Sequence, residues 1–234
     1  MFPLSDDNPR NSTPVVTWSL IGACILVYLW QMSAGGGEAV FYGFGMIPAR
    51  LFGTVDLPAN IPAVSPTVSI FTSMFMHGGL LHLGGNMLFL WIFGDNVEHR
   101  IGHGLFLVFY LVAGVIASFA QIMIDTDSII PTLGASGAIS GILGAYLVMF
   151  PTNRVWVFLI RLLLPVPAIV AIGMWAVLQF INGFGAIGGS EQAGGVAFMA
   201  HIGGFVAGVV AGFVFRVVFG QRRRQRGEPA SLSG

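Results

Sequence analysis

The chain has little charge, and one common charged residue is missing altogether. Only 9% of its 234 residues are Asp, Glu, Lys or Arg and 55% are hydrophobic, whereas a soluble domain carries roughly 25% charged residues. Lysine does not occur, so arginine supplies all ten basic side chains and the formal net charge is zero. The lack of a basic surface argues against a nucleic-acid partner. The composition predicts a membrane protein with several spanning helices.

Three further absences narrow the chemistry of the chain. The single cysteine, Cys24, lies in an apolar run, so no intrachain disulfide forms and we expect the residue to pack in the core. The sequence has no HExxH motif and no pair of aspartates inside an apolar segment. These absences argue against zinc and aspartyl proteases. We expect no metal and no cofactor.

Apolar segments that are long enough, or nearly long enough, to cross a bilayer recur along the chain. A helix needs about 20 mostly apolar residues to cross a hydrocarbon core of about 30 Å. The segments run from Val16 to Met32, Leu80 to Phe93, Leu105 to Ile124, Ala135 to Phe150, Ala168 to Ile181 and Val196 to Phe219. The sequence therefore predicts an all-α bundle of six transmembrane helices over residues 16–219. Residues 1–15 precede it as a cytoplasmic segment, and residues 220–234 follow as a basic tail that we expect to be disordered.

Arginine is distributed unevenly between the loops that connect these segments. Cytoplasmic loops hold the excess of Lys and Arg in membrane proteins. If both termini are cytoplasmic, every arginine except Arg50 falls on that side, and half of the acidic residues, among them Asp125 and Asp127, fall on the other. We therefore predict six spans with both termini inside. The compact form and the lack of a recognisable transit peptide favour a bacterial plasma membrane.

A few strongly polar side chains lie within the apolar segments, where each such residue is a functional candidate. His82 and Asn86 are four residues apart in the second segment and share one helical face. Ser136 begins the fourth segment, and His201 lies near the beginning of the sixth. In the predicted topology all four residues lie at one depth near the external face. They form the candidate site.

Glycines follow two of these residues at helical spacing. They are Gly134, Gly137, Gly141 and Gly144 around Ser136, and Gly204, Gly208 and Gly212 after His201. Faces of small residues let two membrane helices approach closely. If these faces meet, His201 comes within hydrogen-bond distance of Ser136. An imidazole in that position activates a serine as a nucleophile.

Attack by such a serine on an amide carbonyl creates an oxyanion that needs hydrogen-bond donors. Backbone N–H groups at a helix start are free to donate, so the Ser136 N–H forms the candidate oxyanion hole together with His82 and Asn86. Ser140 is the alternative nucleophile, but it lies one turn deeper and away from the free amides. Because no carboxylate lies at this level of the membrane, we expect a Ser-His dyad.

These residues stand in motifs that closely resemble those of the rhomboid family of intramembrane serine proteases. The stretch "HGGLLHLGGNMLFLWIFGDNVEHRIG" is similar to the family's HxxxN helix with its Glu-containing loop, "GASG" to its GxSG motif and "AHIGGFVAG" to its AHxxGxxxG helix. The resemblance implies a six-helix fold, with Ser136 as nucleophile, His201 as base, and His82 with Asn86 lining the oxyanion hole. It also implies membrane-spanning protein substrates, which are cut in or beside the bilayer without metal or cofactor.

Two positions differ from the family pattern. Many members have a Trp-Arg pair in the first external loop, whereas Arg50 here follows Ala49. The position one turn after the nucleophile, which in some members holds an aromatic ring that stacks on the histidine, is Ser140 here. The sequence therefore leaves open how the loop is anchored and how His201 is held.

Two other function classes stay open at this point. A non-catalytic protein of the same fold would bind membrane proteins without cutting them, and a transporter would pass small solutes. The polar groups gather at one face and no inverted repeat is visible, which weighs against transport. Membrane lipids are a further expected partner, because the arginines at 222–224 and 226 suit anionic headgroups. The oligomeric state does not follow from the sequence.

Overall fold

A computed structural model describes residues 2–8, 13–159, 162–187 and 197–225 of the chain, which are mostly helical. The α-helices are α1 (Val15–Ser33), α2 (Glu38–Phe44), α3 (Pro48–Leu51), α4 (Pro66–Thr72), α5 (Leu80–Phe89), α6 (Asp95–Ile101), α7 (His103–Ile122), α8 (Ser136–Met149), α9 (Ala168–Ile187) and α10 (Phe198–Gln225). A short 3-10 helix, Ser73–Phe75, follows α4, and a π-helical turn, Leu90–Gly94, joins α5 to α6.

Three of the described helices are long and apolar enough to cross a membrane, namely Val15–Ser33, His103–Ile122 and Phe198–Phe219. Two further apolar helices, Ser136–Met149 and Ala168–Gly183, are shorter. Each predicted segment is thus helical in its described part, and the number of spans stays a prediction. Of the predicted tail, residues 220–225 continue α10 and the rest lies outside the described residues.

A small sheet departs from the all-α prediction, which needs correction here. Strand β1 (Phe2–Asp6) pairs antiparallel with β2 (Arg154–Leu159), and β2 pairs antiparallel with β3 (Leu162–Pro167). In β2 the side chains of Val155 and Val157 are buried, whereas the intervening Trp156 is exposed. This period of two is typical of a strand with one covered face. Valine and aromatic residues favour such strands, so the apolar composition of this segment does not require a helix.

Helix α8 lies at the centre of the bundle, between α7 and α10. A Cβ atom added at Gly137 would lie 2.7 Å from the Cβ atom of Ala117 in α7. On the α10 side, a Cβ atom on Gly204 would overlap the Gly137 carbonyl, and one on Gly208 would overlap the Gly141 carbonyl. The two backbones therefore touch only because these residues have no side chain. The glycine faces of α8 and α10 meet as their spacing predicts.

Glu98, in α6, lies at the end of the bundle opposite Ser136, where it forms hydrogen bonds with the start of α1. Its carboxylate is fully buried and accepts hydrogen bonds of 2.6–2.8 Å from the backbone N–H groups of Val16 and Thr17 and from the Thr17 hydroxyl. The ring Nδ1 of His103 donates a further one. Burial by itself would raise the pKa of Glu98, but these donors outweigh it and hold the pKa below its ordinary value.

A second polar cluster lies at the same end of the bundle. The Oδ2 atom of Asp6, in β1, accepts hydrogen bonds from the Tyr146 hydroxyl at 2.7 Å and from the side-chain amide of Asn96 at 2.8 Å. Tyr146 is close to the last residue of α8, and Asn96 lies in α6. The cluster therefore ties the N-terminal strand to the end of α8 that is farthest from Ser136.

Candidate active site

Ser136 is the first residue of α8 and is half-buried. The preceding turn contains Gly134 at a φ of +127°, where a Cβ atom would be strained and would also lie 2.9 Å from the ring of His82. Glycine at this position therefore allows the turn and leaves room for the His82 ring. Because the first N–H groups of a helix have no intrahelical acceptor, the Ser136 hydroxyl lies beside free backbone donors.

His201 lies near the start of α10, and its Nε2 atom is 2.8 Å from the Oγ atom of Ser136. The contact between the glycine faces of α8 and α10 brings the two backbones together at this point. When Nε2 carries no proton, it accepts the hydrogen bond of the hydroxyl, and this is the arrangement in which an imidazole removes a serine proton. The structure thus brings together the two residues that the sequence analysis pairs.

The other ring nitrogen of His201 has a partner that the sequence analysis missed. The Oε1 atom of Gln179, in α9, lies 2.8 Å from Nδ1. One turn earlier in α9, the ring of Trp175 lies 6.1 Å from the imidazole between centroids, at an interplanar angle of 38°. Phe198 approaches the imidazole edge-on at 6.5 Å. A glutamine within an apolar helix is the sequence signal that would have pointed to Gln179.

Ser140, the alternative nucleophile, already makes a hydrogen bond within its own helix. Its residue is 1% exposed, and its hydroxyl donates to the backbone carbonyl of Ser136 at 2.7 Å. A serine that bonds the preceding turn in this way is held inside the helix. Ser140 also offers no ring to stack on His201, and the nearby rings of Trp175 and Phe198 come from α9 and α10 instead.

The two side-chain donors predicted for the oxyanion hole lie on α5 in different surroundings. The ring of His82 approaches the turn at Gly134, just before Ser136, and its residue is exposed. Asn86 is 7% exposed, and its side-chain amide donates to the His82 carbonyl one turn earlier at 3.0 Å. An amide carries two N–H groups, so this bond uses one of them. The oxyanion-hole roles of both residues stay predictions.

Arg50 anchors the loop region between α1 and α5 without the Trp-Arg pair of the pattern described above. Its guanidinium donates to the backbone carbonyls of Tyr42, in α2, at 3.5 Å and of Val64, before α4, at 3.3 Å. Both acceptors are backbone atoms, so the contacts do not depend on a tryptophan before the arginine. This answers the first question that the sequence left open.

Comparison with known proteins identifies a family. Residues 65–217 match the family model of the Rhomboid domain. Rhomboid protein 1, mitochondrial, of Saccharomyces cerevisiae is 33% identical over 167 residues, which cover 69% of this chain and 46% of the yeast protein. Rhomboid protease GluP of Bacillus subtilis is 36% identical over 216 residues, 91% of this chain and 38% of that protein. RHOMBOID-like protein 1 of Arabidopsis thaliana is 30% identical over 168 residues, 69% of this chain and 39% of that protein.

The chain spans less than half the length of each of these curated relatives. The family match nevertheless covers more than half of the chain, and it includes Ser136, His201 and both α5 residues of the candidate site. The family that the sequence motifs predict is thereby confirmed. This chain belongs to the rhomboid family of integral membrane proteins.

Proposed function

We propose that this protein is a serine endopeptidase that hydrolyses peptide bonds of transmembrane proteins in or beside the bilayer, by a Ser-His dyad. The observation that carries the proposal is the 2.8 Å distance between Ser136 Oγ and His201 Nε2 at the start of α8. The name of one relative, rhomboid protease GluP of Bacillus subtilis, supports a peptidase. The Ser140 hydroxyl already donates a hydrogen bond to the backbone carbonyl of Ser136, and this favours Ser136 as the nucleophile.

His201 accepts and returns a proton in each half of the proposed reaction. Ser136 Oγ attacks the scissile carbonyl carbon while His201 Nε2 takes the hydroxyl proton. The imidazolium then donates that proton to the leaving amine, so that the C–N bond breaks and an acyl ester on Ser136 is left. In the second half His201 takes a proton from water as the water oxygen adds to the ester carbonyl carbon. The bond between that carbon and Ser136 Oγ then breaks, His201 returns the proton to Oγ, and the peptide leaves with a new carboxyl terminus.

The negative charge that develops on the carbonyl oxygen falls near the start of α8. The Ser136 N–H and the His82 ring approach this region, and the second N–H of Asn86 is the third proposed donor. The loss of one such preorganised donor lowers kcat by a factor of about 10²–10³. The positive end of the α8 dipole points to the same place and favours the oxyanion further.

The proposed substrates are membrane-spanning because the site lies at membrane depth. Helix α8 has 14 residues, a length of about 21 Å at about 1.5 Å per residue, which is shorter than a hydrocarbon core of about 30 Å. Ser136 therefore lies below one membrane surface, where water must reach it through the protein. We propose six spans with both termini cytoplasmic, in a bacterial plasma membrane, with the site toward the external face.

Replacement of the nucleophile tests the proposed function. Ser136→Ala should abolish cleavage of a fluorescent transmembrane substrate in detergent. Its thermal unfolding midpoint should equal that of the protein without the substitution. A fluorophosphonate probe should label the unchanged protein at Ser136 and leave Ser136→Ala unlabelled. Ser140→Ala is the matched control, because it removes a hydroxyl one turn away and should keep both labelling and cleavage.

Persistent cleavage by Ser136→Ala, or labelling at Ser140, would contradict the assignment of the nucleophile. The non-catalytic alternative makes a different prediction. It requires that the unchanged protein and Ser136→Ala retain a transmembrane client equally well and that neither cuts it.

A further inference from the structure

We propose that Gln179 is the positioning residue for His201 in this protein. The proposal rests on the function proposed above, because it explains how the base of that reaction is oriented. The Nδ1 atom of His201 is 2.8 Å from Gln179 Oε1, and its Nε2 atom is 2.8 Å from Ser136 Oγ. One imidazole is thus held at both nitrogens, by α9 on one side and by α8 on the other.

The contact with Gln179 selects the ring tautomer. An amide oxygen accepts hydrogen bonds and does not donate them, so Nδ1 must carry the proton. A neutral imidazole has one N–H group, which leaves Nε2 as the acceptor, and Nε2 is the atom that faces Ser136. After proton transfer both nitrogens carry protons, and the oxygen of Gln179 still accepts from Nδ1. The contact therefore suits the neutral base and also stabilises the imidazolium.

Helix α9 supplies the ring packing as well as the hydrogen bond. Trp175 lies one turn before Gln179 and its ring tilts toward the imidazole at 6.1 Å. The residue that would stack on the histidine from α8 is Ser140, whose hydroxyl bonds the helix backbone. Helix α9 therefore supplies both the hydrogen bond at Nδ1 and a ring contact to His201, where the family pattern has an aromatic residue on α8. This answers the second question that the sequence left open.

Packing alone does not account for a glutamine at this position. The preceding residues of α9, Val177 and Leu178, are 55% and 53% exposed, as expected on a helix that faces lipid, whereas Gln179 is half-buried beside α10. An apolar side chain would fill the same space without the free-energy penalty of an amide in a membrane. The hydrogen bond to His201 provides the reason for the amide.

Two substitutions at Gln179 test the role. Gln179→Leu removes the acceptor at similar size, and we expect kcat to fall about ten-fold, the effect of one lost hydrogen bond, with KM nearly unchanged. Gln179→Glu keeps an acceptor and adds a negative charge that favours the imidazolium. Gln179→Glu should therefore recover the turnover that Gln179→Leu loses. It should also move the acidic limb of the profile of kcat/KM against pH to higher pH, because the imidazolium keeps its proton longer. His82, the titratable neighbour of His201 on α5, is the same in both variants.

Gln121 provides the matched control, because it is a second glutamine that bonds the start of α10. Its Oε1 atom accepts from the backbone N–H of Ala200 at 3.3 Å and so holds the backbone next to His201. Gln121→Leu should lower the thermal unfolding midpoint and leave the acidic limb where it is. The proposal is overturned if Gln121→Leu moves the acidic limb as far as Gln179→Glu does. It is also overturned if Gln179→Leu reduces only the amount of folded protein.

Fluorophosphonate labelling separates this proposal from the proposed function. The rate of labelling at Ser136 reports the reactivity of the hydroxyl without a transmembrane substrate, and we expect it to fall in Gln179→Leu and to recover in Gln179→Glu. If Ser136 is not labelled even in the unchanged protein, the proposed function fails. If the unchanged protein and Gln179→Leu are labelled at equal rates, only the role of Gln179 fails.

Discussion

The two ends of the helix bundle use polar side chains in opposite ways. At one end Glu98 is fully buried and accepts hydrogen bonds from two backbone N–H groups, a hydroxyl and an imidazole. At the other end His201 is half-buried between Gln179 and Ser136, and His82 is exposed. Hydrogen bonds at the first end fasten helices to one another. Those at the second end align a side chain that has to move a proton.

The difference follows from what each end requires. A buried carboxylate stays charged only where donors surround it, and the donors around Glu98 come from α1 and α7, so the network joins α6 to both helices. A reactive hydroxyl needs access for substrate and water, and a base that exchanges its proton. Substitutions at the Glu98 end should therefore change stability, and those at the Ser136 end should change rate.

Asn86→Ala should show the largest effect, and it should be confined to the rate. We expect kcat to fall about 10²-fold, because a donor to the oxyanion acts mainly in the transition state. The apparent KM should change little. Steady-state kinetics with a fluorescent transmembrane substrate measures both, and thermal unfolding in detergent checks the fold. A fall in rate that only matches a loss of folded protein would assign Asn86 a structural role.

Gly204→Ala should affect both stability and rate, because Gly204 lies in the contact between α8 and α10, and these two helices connect the two ends of the bundle. The added Cβ atom overlaps the Gly137 carbonyl, so α10 must move away from α8. We expect a loss of about 1–3 kcal/mol in the free energy of unfolding, and lower turnover because His201 moves with α10. Thermal unfolding and the cleavage rate per labelled Ser136 measure the two effects separately.

Gly173→Ala in α9 is the matched control for this substitution. Among the described residues, no atom lies within 4 Å of a Cβ placed there. Alanine favours a helix over glycine by roughly 1 kcal/mol, so stability should not fall and turnover should persist. Similar losses at Gly173 and Gly204 would contradict the close approach of α8 and α10.

Glu98→Gln should show the smallest effect, on stability alone and in a pH-dependent way. The substitution removes the charge and keeps only one acceptor oxygen, so that an N–H2 group faces donors that the second carboxylate oxygen now accepts from. We expect a loss of at least about 1 kcal/mol near neutral pH, with little change in kcat. Because the pKa of Glu98 in the folded protein lies below its ordinary value, the contribution of the charge is complete above the unfolded pKa of about 4.3. It disappears as the pH falls through the folded value.

Thermal unfolding of the unchanged protein and of Glu98→Gln, from about pH 7 down to about pH 3, measures this contribution. The difference between the two midpoints should close at the acidic end. A difference that stays constant, or that widens as the pH falls, would show that the charge of Glu98 is not the source of the difference in stability.

The sequence by itself determined the class of the protein and the components of its candidate site. Low charge and long apolar runs exclude a soluble domain, and small residues at helical spacing mark the faces on which two membrane helices meet. For that reason the approach of Ser136 and His201 could be predicted without coordinates. These properties belong to single segments, so a sequence records them directly.

Only the tertiary structure decided which distant residues act as partners. Glu98 bonds the start of α1 about eighty residues earlier, β1 pairs with a strand from the far side of α8, and Gln179 reaches His201 from another helix. The amide of Asn86 bonds its own helix, which helical spacing alone does not show. A hydrogen-bond partner is chosen by how helices pack and rotate against one another, and no property of a single segment contains that information.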